Sequence, residues 1–325
     1  MNKDLIKHLM EDIGLLSDRN FNLGFLDTGS YALNKVISGK YSGGWPIGGI
    51  CEVWGESSTG KTIFLTHALK DAQSKGYITA FFDNEFTYNA EFAKLMGLDP
   101  KQLLYDDPPS VPDCFDRIEN LIKKVREKDK DTPLIMCLDS MAGQSGEEAE
   151  KGTDSYSNMS GAIRAKEIGM RLRHVNPLLR KNNALLLLVN QVRSKPNVMY
   201  GSPITKSGGG KSLEFYCTVS IQVASNKTSD VIENKDKRAI GIKGRLKNTK
   251  NKCSTPFQEC EFELIWDNGL NRFYGLEQAV IDAGLIEKAG AWYTIKSTGK
   301  KFQGEDNLQE FILNDPGVLT YLKEN

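Results

Sequence analysis

At 325 residues the chain has room for one large domain with an appendage, or for two domains, around a substantial buried core. Hydrophobic residues make up 39% and charged residues 26%, and no apolar run approaches the roughly 18–20 residues of a membrane helix, so a soluble protein with no membrane partner is expected. The formal charge is zero, 42 basic against 42 acidic residues, which at first discounts a polyanionic partner. The charges are segregated, however: between Arg164 and Lys252 nineteen Lys or Arg stand against five acids, a local balance of +14 that the rest of the chain offsets.

The N-terminal segment MNKDLIKHLMEDIG reads as a short amphipathic helix with both charge signs and lacks the apolar core and cleavage site of a signal peptide. Six cysteines carry no CxxC spacing and only three histidines occur, so a zinc site is not expected; Cys51, Cys137 and Cys217 lie in apolar runs and read as buried reduced thiols. A cytoplasmic location follows from these two readings. Further along, a strand over Gly49–Trp54 ends at Gly55 and a helix covers Ile63–Lys75. The strand Tyr77–Asp83, helices over Ala90–Met96 and Cys114–Lys128, and the strand Leu134–Asp139 come next. Ser160–Arg180 is helical by the spacing of Ile163, Ile168, Met170 and Leu172, and Ala184–Asn190 is a fully apolar run of the kind found in central parallel strands. Cys217–Ala224, Ile240–Leu246 and Cys260–Trp266 follow without long helices, which predicts an antiparallel extension, and Asn226–Arg238 reads as a solvated hairpin loop. From Leu276 a helix, the strand Trp292–Ile295 and helices over Leu308–Leu313 and Val318–Lys323 form a small separate unit, with a boundary near Gly275.

Gly55-Glu56-Ser57-Ser58-Thr59-Gly60-Lys61-Thr62 fits GxxxxGK[ST] at every fixed position, between a predicted strand and a predicted helix. In that context the backbone amides and the helix N-terminus cradle phosphates, Lys61 reaches the β and γ oxygens and Thr62 holds Mg²⁺. Asp139 ends an apolar strand at the edge where such sheets bind ligands, and suits an acid that holds the metal through water. Glu85 follows the strand that ends in Asp83, and the two compete for the role of polarising an attacking water; in a strand their side chains share a face, and pattern does not choose between them.

Between Val192 and Leu213 the sequence holds Arg193, Lys195, Lys206 and Lys211, no acid, several glycines and one aromatic residue, directly after the apolar run. A cationic loop hung on a core strand suits phosphate contacts, with Met199 and Tyr200 able to wedge or stack against bases. Arg164, Lys166, Arg171, Arg173, Arg180 and Lys181 add positive charge on the preceding helix, where a solvated face is the plainer reading of any one of them.

Taken in order, Asp27-Thr28-Gly29-Ser30, the Gly55–Thr62 loop, Phe82-Asp83-Asn84-Glu85, Leu138-Asp139-Ser140, Asn190-Gln191-Val192-Arg193, Val198-Met199-Tyr200-Gly201, Lys250-Asn251-Lys252 with Pro256-Phe257, and Ile286 through Tyr293 resemble the bacterial RecA recombinase family over nearly the whole chain. The resemblance implies an α/β P-loop NTPase core with a mainly parallel central sheet flanked by helices. It divides the chain into an N-terminal helix and docking arm (1–32), an ATPase core with DNA-binding loops (33–274) and a small α/β C-terminal domain (275–325). It also implies ATP and Mg²⁺ as cofactors, assembly as a helical filament on single-stranded DNA, homologous pairing with duplex DNA, and strand exchange.

By residue, the resemblance makes Glu85 the catalytic carboxylate, Lys61 the phosphate-binding partner in catalysis and Gln191 the sensor of the γ-phosphate that moves the DNA loop behind it. Lys250 and Lys252 match lysines that reach the ATP of a neighbouring subunit, so nucleotide would sit at the filament interface. Gln144–Met159 matches the first DNA loop and Val192–Gly210 the second, and the expected DNA contacts are Lys166, Arg173, Arg193, Ser194, Lys195, Met199, Tyr200, Gly209, Gly210 and Lys211. The nucleotide-base contacts fall on Asn89 and Phe92.

Departures from the family pattern are local. The second loop has one extra residue near its glycines, and Pro196 stands where an aliphatic wedge is usual. The N-terminal arm lacks the basic-aromatic docking motif, with Phe21–Phe25 as a substitute edge strand, and no long acidic tail precedes Asn325, so a brake on DNA access is expected to be missing. A ring-forming motor of the same fold shares the P-loop and acids but not the Lys288–Tyr293 motif; an ATP-regulated scaffold that does not hydrolyse is disfavoured by the intact set Lys61, Thr62, Glu85, Asp139 and Gln191.

Overall fold

The computed structural model describes residues 23–142, 154–194, 204–206, 210–225 and 230–325. The N-terminal helix, most of the Gln144–Met159 loop, and Lys195, Pro196, Met199, Tyr200 and Gly209 lie outside the described residues. Backbone alone is described at 154–164, 193–194, 204–206, 210–211 and 305–306.

In chain order, β1 (Phe25–Leu26), α1 (Tyr31–Ser38) and β2 (Trp45–Pro46) lead to β3 (Ile50–Gly55), α2 (Lys61–Ser74) and β4 (Ile78–Asp83). Next come α3 (Ala90–Leu95), β5 (Leu103–Asp106), α4 (Val111–Lys128), β6 (Leu134–Asp139), α5 (Asp154–Lys181) and β7 (Ala184–Ser194). β8 (Ile204–Lys206), α6 (Gly210–Tyr216), β9 (Val219–Ala224), β10 (Val231–Glu233), β11 (Ala239–Asn251), β12 (Glu259–Ile265) and β13 (Gly269–Leu270) complete the main sheet. A terminal unit follows: α7 (Glu277–Asp282), β14 (Ile286–Ala289), β15 (Trp292–Ile295), β16 (Lys301–Gln303), α8 (Glu305–Asn314) and α9 (Pro316–Glu324).

Among the described residues the large sheet has eleven strands, in the order β13-β12-β11-β9-β3-β7-β6-β4-β5 with β10 on β11 and β8 on β7. The run from β9 to β5 is parallel, as the apolar strands predict. Of the three runs expected to extend it antiparallel, β9 instead pairs parallel with β3, whereas β11 and β12 do pair antiparallel, as do the short strands β8, β10 and β13. The stretch read as a hairpin loop does contain a turn but also the short strand β10, paired to β11.

Period two decides where the core sits. Leu185, Leu187 and Val189 of β7 join Cys51, Val53, Phe64, Leu65, Ala68 and Phe262 on one face. Ala184, Leu186 and Leu188 join Ile118, Ile122, Ile168, Leu172 and Val175 of α4 and α5 on the other. A strand buried on both faces must be apolar at every position, which is why β7 reads as an unbroken hydrophobic run. A third cluster joins Val280, Ile286, Ile312, Val318 and Leu322 of the terminal unit to Tyr31, Ala32 and Tyr41, so α1 packs on that unit as well as on the large sheet. Among the described residues no helix is long and apolar enough to cross a membrane.

Candidate functional site

The loop between β3 and α2 is built by glycines at both ends, for different reasons. A Cβ on Gly55 would lie 2.4 Å from the Val223 carbonyl oxygen of β9, so this glycine serves strand packing. Gly60 has φ +80°, in the left-handed region, and begins α2 with no side-chain cap; Ser58 is also left-handed at φ +64°. Alternating conformations of this kind turn successive amides inward into an anion-binding hollow, which the positive end of α2 reinforces. Glu56, Ser57 and Ser58 are exposed on the rim, while Thr59 is buried with its hydroxyl donating to Glu56 O at 2.9 Å. The Lys61 ammonium is folded onto the same Glu56 carbonyl.

β4 and β6 are in register with Asp83 beside Asp139, so two carboxylates arrive side by side at the strand ends next to this loop. The Thr62 hydroxyl donates to Asp139 Oδ2 at 2.6 Å. Burial pushes the Asp139 carboxyl up to about 6, helped by the charges of Glu85 and Asp83 and opposed by the Thr62 hydrogen bond and Lys61. A hydroxyl and a carboxylate in contact, with further acid nearby, form the donor set that a hard divalent cation takes when phosphates supply its remaining ligands. Among the described residues no cluster of three or more His, Cys, Asp and Glu forms a cage that would bind a metal without such help.

The structure gives different surroundings to the two acids that local pattern left equivalent. β4 ends at Asp83, so the shared-face argument does not apply beyond it. Asp83 is buried, and its oxygens accept from the Glu85 amide at 3.2 Å, the Tyr88 amide at 2.8 Å and the Tyr105 hydroxyl at 3.1 Å. It therefore shapes the turn that carries Glu85. The Glu85 carboxylate accepts from the Ser140 hydroxyl and, at 2.9 Å, from the Gln191 side-chain amide. Gln191 is set there by the β3–β7 register, which places it opposite Gly55.

Sequence reasoning gave no role to Asn84, Ser140 or Tyr105. Asn84 Oδ1 accepts from the Ser140 amide at 2.7 Å, and Ser140 in turn holds Glu85. Ser140 stood in the motif beside Asp139 and could have been flagged; Tyr105 lies on β5, a strand the pattern did not reveal.

Several other expectations are corrected. β7 does not end at Asn190 but runs to Ser194, and Val192–Ser194 pair antiparallel with Ile204–Lys206, so Arg193 and Ser194 begin as a ribbon and not as a loop. Gly210 opens α6 and Lys211 follows it within the helix. On α5, Lys166 and Arg173 are exposed and two helical turns apart, hence on one face. Arg171 is not part of an open cationic face, since its guanidinium meets Asp116 and Glu167. Asn89 caps α3 by accepting from the Phe92 amide at 3.0 Å, and Phe92 packs partly buried against the core.

Lys250 and Lys252 are not brought to the P-loop of their own chain. Lys250 lies opposite Ser220, which lies opposite Glu52, three residues or about 10 Å before Gly55 along β3. Their ammonium groups donate to carbonyls at the end of α6: Lys250 to Glu214 and Phe215, and Lys252 to Phe215 at 3.5 Å.

Comparison with known proteins bears on this arrangement. Residues 5–271 match the family model described as the RecA N-terminal domain. The chain is 33% identical to Protein RecA of Acidothermus cellulolyticus over 299 residues, 92% of this chain and 82% of the relative. It is 32% identical to Protein RecA of Mycobacterium ulcerans, covering 93% and 82%, and 29% identical to Protein RecA of Phytoplasma mali, covering 95% and 87%.

Proposed function

The chain belongs to the bacterial RecA family of ATP-dependent DNA recombinases, DNA-stimulated ATPases of recombination and repair, and on that premise we propose how its residues divide the work. Lys61, Thr62 and the amides of Gly55–Gly60 bind the phosphates of ATP, Glu85 orients and deprotonates the attacking water, and Gln191 couples that carboxylate to the DNA-facing ribbon behind it. Mg²⁺, held by Thr62 and through water by Asp139, would supply charge neutralisation at the phosphates. The observation that carries the reading is the contact between Glu85 and Gln191, because Gln191 is covalently continuous, through Val192, with the ribbon of β7 and β8.

DNA contacts in this reading come from Lys166 and Arg173 on α5, from Arg193, Ser194 and Lys195, from Met199 and Tyr200, and from Gly209, Gly210 and Lys211. Lys250 and Lys252, at the far end of the sheet from Gly55, serve the ATP of the next subunit in a head-to-tail filament. That filament holds single-stranded DNA and aligns it with homologous duplex. Residues 33–274 act as the ATPase core, 1–32 as a docking arm and 275–325 as a small terminal domain. The buried, reduced Cys51, Cys114 and Cys137 support a cytoplasmic location.

Electron microscopy of the protein with Mg²⁺, an ATP analogue and single strands tests the assembly: helical filaments are expected, and closed rings alone would overturn it. A strand-exchange assay with homologous substrates tests the reaction.

A further inference from the structure

Among the described acids and bases Glu52 is the most deeply buried, with 0% of its surface exposed, and the proposed division of work does not use it. It lies within β3, where Ile50, Cys51 and Val53 are buried and apolar. A carboxylate in such a place is costly unless donors are built around it, and here two strands supply them. From β7, Asn190 Nδ2 donates to Glu52 Oε1 at 3.0 Å; from β9, the Ser220 hydroxyl donates to Oε2 at 2.6 Å. Asn190 and Ser220 are themselves wholly buried.

Each partner leads to a residue with a proposed role toward ATP. Asn190 Oδ1 accepts from the Gln191 amide at 3.0 Å, so the side chain that grips Glu52 also holds the backbone of the residue that touches Glu85. On the other side, Thr249 Oγ1 donates to Ser220 O at 3.1 Å and lies 3.3 Å from Ser220 Oγ. Thr249 stands at a break in the β9–β11 register, between Asn248 opposite Ile221 and Lys250 opposite Ser220. Such a break re-aims the residues that follow it, here Lys250 to Lys252. Trp54, two residues along β3 from Glu52 and on the same face, donates from Nε1 to Thr249 Oγ1 at 3.4 Å. A polar row thus crosses β7, β3, β9 and β11 inside the core, with Glu52 at its centre.

We propose that Glu52 is a positioning residue that ties Gln191, at the chain's own nucleotide loop, to the register break that aims Lys250. An apolar residue could fill the space. Only a carboxylate offers separate acceptor oxygens to Asn190 and Ser220 at once. A shift of Gln191 against Glu85 is thereby passed through buried, mutually polarised hydrogen bonds to the lysines that serve the next subunit. This consequence rests on the roles proposed for Gln191 and Lys250, whereas the positioning by Glu52 does not.

Glu52→Gln keeps the shape of the side chain but puts a donor where one acceptor oxygen stood, and the full-length variant is compared with wild type by amide hydrogen exchange. Exchange should be at least several-fold faster both around Gln191 and over Thr249–Lys252, with α4 unchanged. Unchanged exchange, loosening of only one of the two segments, or equal acceleration everywhere would overturn the assignment. Ser220→Ala removes only the β9 donor and should loosen Thr249–Lys252 alone; should Glu52→Gln not fold, an unaltered Thr249–Lys252 segment in this second variant decides against the row. For the consequence, Lys61→Ala subunits, which lose their own nucleotide site but still offer Lys250, are mixed with wild type on single strands. Adding Glu52→Gln to them should depress wild-type hydrolysis at least a few-fold further, whereas subunits that fail to assemble would depress it less; either equal or weaker inhibition counts against the consequence. If Lys250→Ala added to Lys61→Ala also brings no further inhibition, the role of Lys250 fails while hydrogen exchange still judges Glu52.

Discussion

The Gln191 side chain donates to the Glu85 carboxylate across 2.9 Å, and the same residue stands opposite Gly55 in the β3–β7 register. One strand position thus touches the acid beside the nucleotide loop and begins the ribbon that leads away from it. In the proposed reading, that position gives a change at the phosphate end a short mechanical route to the DNA-facing ribbon.

Glu85→Gln keeps the contacts to Ser140 and Gln191 within hydrogen-bonding reach but removes the base. Hydrolysis should fall by about 10²–10⁴-fold, while ATP-dependent DNA binding persists. Lys61→Ala should lose both. Phosphate release and DNA binding measured on the same preparations check this; wild-type turnover in Glu85→Gln would remove Glu85 from its role.

Lys166 and Arg173 share an exposed face of α5. If each meets a phosphate of single-stranded DNA, each alanine replacement should reduce the slope of log affinity against log salt by about 0.7, equally for all sequences. A double mutant with an unchanged slope would show that this face is merely solvated.

Gly55→Ala places a methyl group 2.4 Å from the Val223 carbonyl oxygen, and neither strand can move without disturbing the β3–β9 pairing. The expected cost is about 1–3 kcal/mol of overpacking strain, read from urea unfolding midpoints. Gly60→Ala meets the flexible end of Leu264 but must also adopt φ +80°, so it should act through the loop conformation and weaken nucleotide binding.

His67 is buried and accepts the Leu270 amide through Nε2 at 3.0 Å. Burial, with the Lys70 charge adding to it, lowers its imidazolium to about 4 from the ordinary 6.5. The unfolded chain binds that proton first, so the stabilisation is complete above pH 6.5 and is lost as pH falls toward 4, on the order of 3 kcal/mol in all. Asp27, whose carboxyl is lowered by Arg272 against the opposing effect of burial, adds its own loss only below the usual carboxylate range. His67→Gln keeps an acceptor but cannot titrate, and its stability should be flatter between pH 6.5 and 4 in denaturant titrations. An identical slope in both proteins would mean that His67 charges without penalty.

The alternation of apolar strands with helices, the eight-residue phosphate loop and the acid at the end of β6 were legible in the sequence because each depends on neighbours within one strand or one turn. Period two marks a strand, and a glycine pattern marks a loop, whatever the rest of the chain does. The choice between Asp83 and Glu85 was not of that kind. It depended on Tyr105, on a strand too short and too exposed to show a pattern, and on Gln191, 106 residues away, both brought in by the order of strands in the sheet. The same holds for Lys250 and Lys252, which only the antiparallel return of β11 sets at the far end from Gly55. Residue types and local spacing supplied the chemistry, and long-range strand pairing decided which groups could meet, because contact across a sheet depends on strand order and register that no local pattern encodes.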